Sequence, residues 1–175
     1  MNLIIIPLDN QLSKESFDCG FKSLNDYLRK YANQDQKRGI SRTFVAINNE
    51  LDQQILGYYS ISMAQIEIDS LPEENRKKLP RYPIPAMRLA RLAVDQSQQG
   101  KGLGETLLFH VLCKATKFYQ EIGIAGVIVD ASNERARNFY LKYDFVPLIV
   151  SSADYPLPLF LTIKSILKLN LDSIL

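Results

Sequence analysis

The chain has 175 residues, a formal net charge of +2, 46% hydrophobic residues and 23% charged residues. This length and composition predict one domain and exclude a disordered tail, a collagen-like repeat and a low-complexity linker. No apolar run approaches the ~20 residues that cross a bilayer, and the two cysteines, Cys19 and Cys113, predict neither a disulfide framework nor a metal site. We therefore expect a cytoplasmic protein with no membrane contact and no bound metal.

The first half of the chain predicts three strands and one helix. Leu3–Ile6 is a short strand, and residues 43–47 and 55–63 are the two strands of a hairpin that turns within 48–54. The Ser23-x-x-Asp26 pattern has the form of a capping box, and apolar residues at helical spacing follow it. A helix is therefore expected to begin at this point.

The second half predicts alternating strands and helices. A proline-rich loop over 69–85 leads to a strand at Met87–Val94. A wide apolar stripe from Leu103 to Tyr119 predicts a long helix that Gly123 ends. The order strand, helix, strand, strand follows, over residues 124–129, 133–142, 145–149 and 157–163. Such an order is typical of a mixed α/β chain.

Two arginines point in opposite directions from the predicted strand at Met87–Val94. Side-chain alternation places Arg91 on the same face as Leu89 and Ala93, and Arg88 on the other. Arginine is almost never buried without a partner, so we expect each guanidinium to have one.

Basic residues cluster in two segments of the chain. Residues 22–42 hold six basic and two acidic residues, and residues 76–94 hold six basic residues and no acid. These segments are either a footprint for an anion such as a nucleic-acid backbone or solvated faces that never meet. The candidate side chains are Arg29, Lys30, Lys37, Arg38, Arg76, Lys77, Lys78, Arg81 and Arg91.

A glycine-rich loop joins the predicted strand to the long helix. Its sequence is Gln99-Gly100-Lys101-Gly102-Leu103-Gly104. Glycines let a ligand approach backbone N–H groups, and the helix that follows adds unpaired N–H donors. The loop matches neither the P-loop nor the dinucleotide fingerprint, which needs glycine where this chain has Glu105. The residues alone indicate an anion-binding loop or a turn without ligand.

The strand and loop together resemble the acetyl-CoA loop of the GNAT superfamily of N-acetyltransferases. The family pattern Gln/Arg-x-x-Gly-x-Gly/Ala matches Gln99-x-x-Gly102-x-Gly104, which follows Arg91-Leu92-Ala93-Val94-Asp95. The resemblance covers residues 40–165 and implies the α/β (α+β) GNAT fold, with a mixed central sheet of about six to seven strands and about four flanking helices. We expect one acetyltransferase domain over 1–165 and an extension over 166–175.

A longer series of motifs resembles one branch of that superfamily, the acetyltransferase toxins of type II toxin–antitoxin pairs. The series is Phe17-x-Cys19-Gly20, Ser41-Arg42-Thr43-Phe44-Val45, Gly57-Tyr58-Tyr59, Ile84-Pro85, Arg91-Leu92-Ala93-Val94-Asp95 and Phe139-Tyr140. Those toxins acetylate the α-amine of aminoacyl-tRNA and stop translation. The resemblance implies a homodimer, a small ribbon-helix-helix-type antitoxin that binds DNA, and a tRNA cradle made of the two basic segments.

The resemblance also implies roles for single residues. The strand end Leu92-Ala93-Val94 would bond the pantetheine arm of acetyl-CoA, and Gln99 to Gly104 would hold its pyrophosphate. Asn133 would touch the cofactor, cap the helix that follows it, or do both. Tyr140 matches the family's general acid, which protonates the departing CoA thiolate.

The sequence contains no obvious general base. His110, the only histidine, lies beside core positions of the long helix, and we interpret it as structural. Glu67 and Asp69 could hold a water, but their spacing does not single them out. An α-amine has a pKa near ~8, so a neutral fraction exists at pH 7 without a base.

Two other functions fit the same residues. A GNAT enzyme could act on a protein amine or a small-molecule amine instead of aminoacyl-tRNA. A non-catalytic acyl-CoA-binding module is the third interpretation, and the complete loop with Tyr140 argues against it. The basic segments favour the aminoacyl-tRNA substrate, because an enzyme for small amines would be expected to have an acidic acceptor pocket.

Overall fold

A computed structural model describes residues 3–48, 54–77 and 79–169 of the chain. The strands are β1 Leu3–Pro7, β2 Arg42–Asn48, β3 Ile55–Ile66, β4 Ile84–Val94, β5 Gly126–Ala131, β6 Val146–Pro147 and β7 Leu157–Thr162. They form a seven-stranded mixed sheet in the order β1-β2-β3-β4-β5-β7-β6. The helices are α1 Lys22–Asp26, α2 Ala32–Lys37, α3 Glu73–Arg76, α4 Leu103–Glu121, α5 Glu134–Leu141 and α6 Ile163–Lys168, and a π-helical turn at Tyr27–Tyr31 joins α1 to α2. The predicted α/β fold class is confirmed.

The described residues form two compact units. The first runs to Ser62 and includes Ala90–Val111. Within it β2 pairs antiparallel with both β1 and β3. The core of this unit is formed by apolar side chains of the strands, of the helical segment (residues 22–37) and of the loop between β1 and α1. It includes Phe17, Tyr27, Leu28, Val45, Ile47, Ile55, Tyr58 and Ala93.

The second unit comprises Met63–Leu89 and the described residues from Leu112 onward. Within it β4 pairs parallel with β5, as Met87 lies opposite Val127, and β7 pairs antiparallel with both β5 and β6. Its core contains Ile66, Leu71, Ile84, Ala86, Ile128, Leu148 and Phe160.

The predicted capping box at Ser23 is wrong. Helix α1 begins at Lys22, and its N-cap is Phe21, which makes no side-chain hydrogen bond to the helix. Asp26 is instead paired with Lys22 and, at 3.0 Å, with Lys30. The acid is therefore satisfied by lysines four residues away on either side rather than by a return bond to the helix start.

Several predicted bounds also shift. Strand β4 begins at Ile84, inside the proline-rich loop, and β5 begins two residues later than predicted. The strand predicted over 145–149 contains only the two residues of β6. Helix α6 runs across the predicted boundary between 165 and 166. The hairpin residues 49–53 and the candidate Lys78 lie outside the described residues.

Candidate active site

The glycine-rich loop lies between the end of β4 and the start of α4. Gly100 and Gly102 have φ angles of +76° and +86°, which favour glycine, and α4 begins at the next residue, Leu103. A Cβ atom at either glycine would meet no atom within 4 Å. The loop therefore has open space beside its backbone and next to the N-terminus of α4, whose first N–H groups have no acceptor within the helix.

This loop has the chemistry that a pyrophosphate requires. A helix N-terminus presents backbone N–H donors and the positive end of the helix dipole to an anion. Lys101 is exposed, and its Nζ donates to the carbonyl oxygen of Ser97 at 2.7 Å, which keeps a positive charge at the loop. A diphosphate group fits because the donors, the cation and the open space occur together.

Hydrogen bonds fix the loop to the chain that precedes α1. The Gln99 Nε2 donates to the carbonyl oxygens of Cys19 and Val94, each at 3.0 Å. The carboxylate of the buried Asp95 accepts a hydrogen bond from the backbone N–H of Asp18 at 2.9 Å. The loop, the strand end and the residues before α1 are thus held together by bonds between distant parts of the chain.

Asp18 is the centre of that attachment. Its Oδ1 accepts from the backbone N–H of Gly20 at 2.8 Å and from the Asn25 Nδ2 at 2.7 Å, and its Oδ2 accepts from the Gln96 Nε2 at 2.9 Å. The Gly20 N–H bond and then the Asn25 bond lower the pKa of the Asp18 carboxyl. Sequence reasoning missed this residue, which is the unspecified position of the Phe17-x-Cys19-Gly20 motif.

Replacement of Gln99 by alanine tests whether its amide positions the loop. The free energy of unfolding is expected to fall by about 1–2 kcal/mol, because two hydrogen bonds are lost and two part-buried carbonyl oxygens lose a donor. The Kd for acetyl-CoA is expected to rise by about tenfold with kcat unchanged. Urea denaturation and calorimetry measure the two effects.

Gln98→Ala is the matched control for that variant. The Gln98 side chain donates only to the neighbouring Ser97 Oγ, at 3.4 Å. Equal losses of stability and of acetyl-CoA affinity in the two variants would show that the Gln99 amide has no special role in positioning the loop.

The C-terminal end of β4 lies beyond the segment of β4 that pairs with β5. The parallel register with β5 joins Met87–Leu89 to Val127–Val129, and Leu92–Val94 follow that segment along the chain. Ala93 is buried in the core of the first unit. Leu92 and Val94 are half-buried.

Both arginines of β4 have the partners that alternation predicts. The Arg88 guanidinium pairs with the carboxylate of Asp130. The guanidinium carbon of Arg91 lies 3.6 Å from the centre of the Tyr27 ring, in a cation–π contact. The expectation that each guanidinium has a partner is confirmed.

The candidate general acid lies on α5, in the second unit. Asn133 caps this helix through its Oδ1, which accepts from the backbone N–H of Ala136 at 2.9 Å, so the predicted cap is confirmed. Tyr140 is buried, and the rings of Phe139 and Phe145 lie 5.2 and 5.4 Å from its own. Burial, and then the negative charge of Asp130, raise the pKa of Tyr140 well above its usual value. Its hydroxyl therefore keeps its proton at neutral pH.

The predicted footprint residues differ in their contacts. Arg29 donates from Nη2 to the carbonyl oxygens of Glu15 and Phe17 at 3.0 and 2.6 Å, and Arg76 pairs with Asp69 at 3.5 Å. These two guanidinium groups therefore hold local structure. The side chains that face solvent are Lys30, which also pairs with Asp26, and Lys37, Arg38, Lys77 and Arg81.

An open cleft lies beside the first of those exposed side chains. It has a volume of about 330 Å³ and is lined by Lys37, Arg42, Asn10 and Asn33, among others. Two cations, the Asp9 carboxylate and three amides line this cleft, so its lining has a formal charge of +1.

His110 packs among aromatic side chains of the first unit. Its Nδ1 lies 2.7 Å from the hydroxyl of Tyr59, and the ring of Phe44 is 6.0 Å from its own. This packing supports the structural interpretation of the histidine. Glu67 is exposed, and Asp69 pairs with Arg76.

Over residues 3–48, 54–77 and 79–169, no group of three or more His, Cys, Asp or Glu side chains is placed to hold a metal ion. No helix of this part of the chain has the length and apolar character needed to cross a membrane.

A glycine loop with open space between a strand and a helix N-terminus is typical of proteins that bind a diphosphate-containing cofactor. The acetyltransferase (GNAT) domain model matches residues 39–147 of the chain. The chain belongs to the GNAT acetyltransferase family. It is an acetyl-CoA-dependent N-acetyltransferase.

Similar proteins cover almost the whole chain. The tRNA-acetylating toxin of Mycobacterium tuberculosis is 36% identical over 85% of this chain and 85% of its own. The structure of AtaT complexed with acetyl-methionyl-tRNAfMet is 34% identical, covers 96% of this chain and 99% of its own, and has a TM-score of 0.89. A tyrosine-to-phenylalanine mutant of the AtaT toxin, bound to the C-terminus of the antitoxin AtaR and acetyl-CoA, is 30% identical, covers 97% and 98%, and has a TM-score of 0.80.

Proposed function

We propose that this protein is a toxin that transfers acetyl from acetyl-CoA to the α-amine of aminoacyl-tRNA and so blocks translation. The observation that carries the proposal is the fold similarity, over 96% of the chain, to AtaT in complex with an acetylated aminoacyl-tRNA. The similarity to a tRNA-acetylating toxin over 85% of the chain supports it. Residues 1–165 would form the single acetyltransferase domain.

The contacts of the loop support the cofactor roles that we propose. When bound, acetyl-CoA supplies an activated acetyl group as a thioester. The backbone of Gln99–Gly104 binds its pyrophosphate, and the Gln99 amide fixes that loop on the end of β4. The backbone of Leu92–Val94 orients the pantetheine arm, and Asn133 contacts the cofactor while it caps α5.

The transfer needs one proton donor from the chain. The α-amine attacks the thioester carbon directly, because a group with a pKa near ~8 has a neutral fraction at pH 7. As the nitrogen–carbon bond forms and the carbon–sulfur bond breaks, the Tyr140 hydroxyl would give its proton to the departing sulfur. The proton that the attacking nitrogen loses would pass through solvent to the Tyr140 oxygen and restore the phenol. Burial keeps the phenol protonated before the transfer.

Exposed cations would bind the tRNA backbone. Lys37, Arg38, Lys77 and Arg81 face solvent, where they can contact phosphates. Lys30 and Arg91 would contribute further cations in the first unit. Arg29 and Arg76 make local contacts in the first and second units, respectively. Catalytic efficiency on charged tRNA should therefore fall steeply with added salt.

The partners are proposed from the relatives. A small antitoxin of the ribbon-helix-helix type would neutralise the protein, as the similar AtaT toxin is bound to the C-terminus of AtaR. The protein would act as a homodimer in the cytoplasm. Rescue of growth by coexpressed antitoxin, and the mass of the purified protein in solution, test these two statements.

The substrate is tested with labelled acetyl-CoA and a mixed pool of charged tRNAs. We expect label on N-acetylated aminoacyl esters, which mild base releases from the tRNA. Uncharged tRNA is the control, and it should remain unlabelled because it has no α-amine. Label found only on added proteins or free amines would overturn the proposed substrate and would indicate a GNAT enzyme that acetylates those amines.

A further inference from the structure

Arg91 lies on β4 close to the predicted pantetheine site. It is half-buried, and it points to the same face of the strand as Ala93, two residues further on. Two residues of a strand span about 7 Å, so its backbone is within 7 Å of the Ala93 backbone. A group bound by Arg91 would therefore lie near the strand end that is proposed to orient the pantetheine arm.

The Tyr27 ring supports the guanidinium of Arg91 at 3.6 Å. This tyrosine is 3% exposed, and its hydroxyl forms hydrogen bonds of 3.0 Å with the Oγ atoms of Ser41 and Ser60. The ring of Tyr58 stacks on the Tyr27 ring at 6.2 Å. The tyrosine that stacks on the guanidinium is thus held in place at its ring and at its hydroxyl.

The N–H groups of Arg91 differ from those of Arg29 and Arg88, which are also half-buried, in their hydrogen-bond and ion-pair partners. Arg29 donates to backbone carbonyls, and Arg88 pairs with a carboxylate. Across the described portion of the chain, Arg91 makes no hydrogen bond and no ion pair, and its contact is the ring of Tyr27. A planar cation with one face stacked and its donors unused suits bidentate binding of a phosphate.

We propose that Arg91 binds a phosphate at the acceptor end of the RNA substrate, and that Tyr27, Ser41 and Ser60 are positioning residues for it. The inference rests on the proposed function, because it requires an RNA acceptor. The stacked guanidinium holds the phosphate beside the end of β4. This contact places the α-amine of the esterified amino acid near the acetyl group.

Steady-state kinetics of Arg91→Gln with charged tRNA test the contact. We expect the KM for charged tRNA to rise about tenfold, the cost of one charge-assisted hydrogen-bonded pair. The KM for acetyl-CoA should stay within about twofold of the unaltered protein, because the variant leaves the glycine loop intact. A plot of log kcat/KM against log salt should lose about one unit of slope, as expected for one phosphate contact.

Two conservative variants separate the contact from structure. Arg91→Lys keeps the charge but loses the planar fork, so it should keep the salt slope while the KM for charged tRNA rises. Tyr27→Phe keeps the ring and loses both serine bonds, and it should raise that KM by about threefold. Lys117→Gln removes an exposed cation of α4 outside both basic segments and should change neither quantity.

The outcomes distinguish this inference from the function on which it rests. If the unaltered protein does not acetylate charged tRNA, the proposed function fails and the inference fails with it. If it does, and Arg91→Gln keeps both the KM for charged tRNA and the salt slope, only the inference is overturned. A rise confined to the KM for acetyl-CoA would also overturn it, since Arg91 would then bind the cofactor.

Discussion

Replacement of Tyr140 by phenylalanine should lower kcat by about 100-fold or more, because loss of a general acid removes roughly 10²–10⁴ in rate. The change removes one oxygen from a buried ring that packs between Phe139 and Phe145, so the core should keep its shape. The Kd for acetyl-CoA should stay within about twofold, since the glycine loop is unaltered. Single-turnover acetylation of charged tRNA and calorimetry with acetyl-CoA measure the two quantities.

Tyr143→Phe is the matched control for that variant. Tyr143 lies three residues further on, and its ring is 5.2 Å from Phe139, yet it is not proposed to touch the cofactor. Because burial raises the pKa of Tyr140, the protonated phenol persists above the ordinary tyrosine value. The rate of the unaltered protein should thus rise with pH as the α-amine loses its proton, without a tyrosine-dependent fall below pH ~10. An unchanged kcat in Tyr140→Phe would remove Tyr140 from the mechanism.

Local patterns predicted the parts of the fold that local forces determine. The apolar stripe that starts at Leu103 required a helix with one buried face, and α4 begins at that residue. Ser132 or Asn133 was predicted to cap the next helix, because a short polar side chain can accept from a helix N–H three residues later, and Asn133 is the cap. The cofactor role of the glycine loop stays a prediction from its resemblance to the GNAT loop, because the residues alone left open an anion-binding loop or a turn without ligand.

Local patterns could not predict contacts between residues that are distant in the sequence. The bond between Asp18 and Asp95 joins positions 77 apart in the sequence, and neither spacing nor periodicity predicts it. The stacking of Arg91 on Tyr27 is of the same kind. Alternation showed that the arginine needed a partner, but only the packing of the helical segment on β4 identified the partner. The false capping box had a related cause, because Asp26 had two lysines within reach.

Gly102→Ala should nearly abolish binding of acetyl-CoA at ordinary concentrations. The new Cβ enters the open space beside the loop that the pyrophosphate is proposed to fill, and the φ of +86° disfavours any side chain. Relaxation of that angle would turn the first N–H groups of α4 away from the anion. Loss of about two charge-assisted hydrogen bonds corresponds to a rise in Kd of about 100-fold or more, measured by calorimetry.

Gly123→Ala is the control that separates the loss of acetyl-CoA affinity from the loss of stability caused by a side chain in the left-handed conformation. Gly123 follows the C-terminus of α4 with a φ of +78°, and a Cβ there would also meet nothing within 4 Å. Both variants should therefore lose a similar free energy of unfolding, about 1–2 kcal/mol, from the left-handed conformation. Only Gly102→Ala should lose affinity for acetyl-CoA, because only that position adjoins the N-terminus of α4. Equal affinities in the two variants would mean that the pyrophosphate lies elsewhere, and the roles proposed for Gln99 to Gly104 would be wrong.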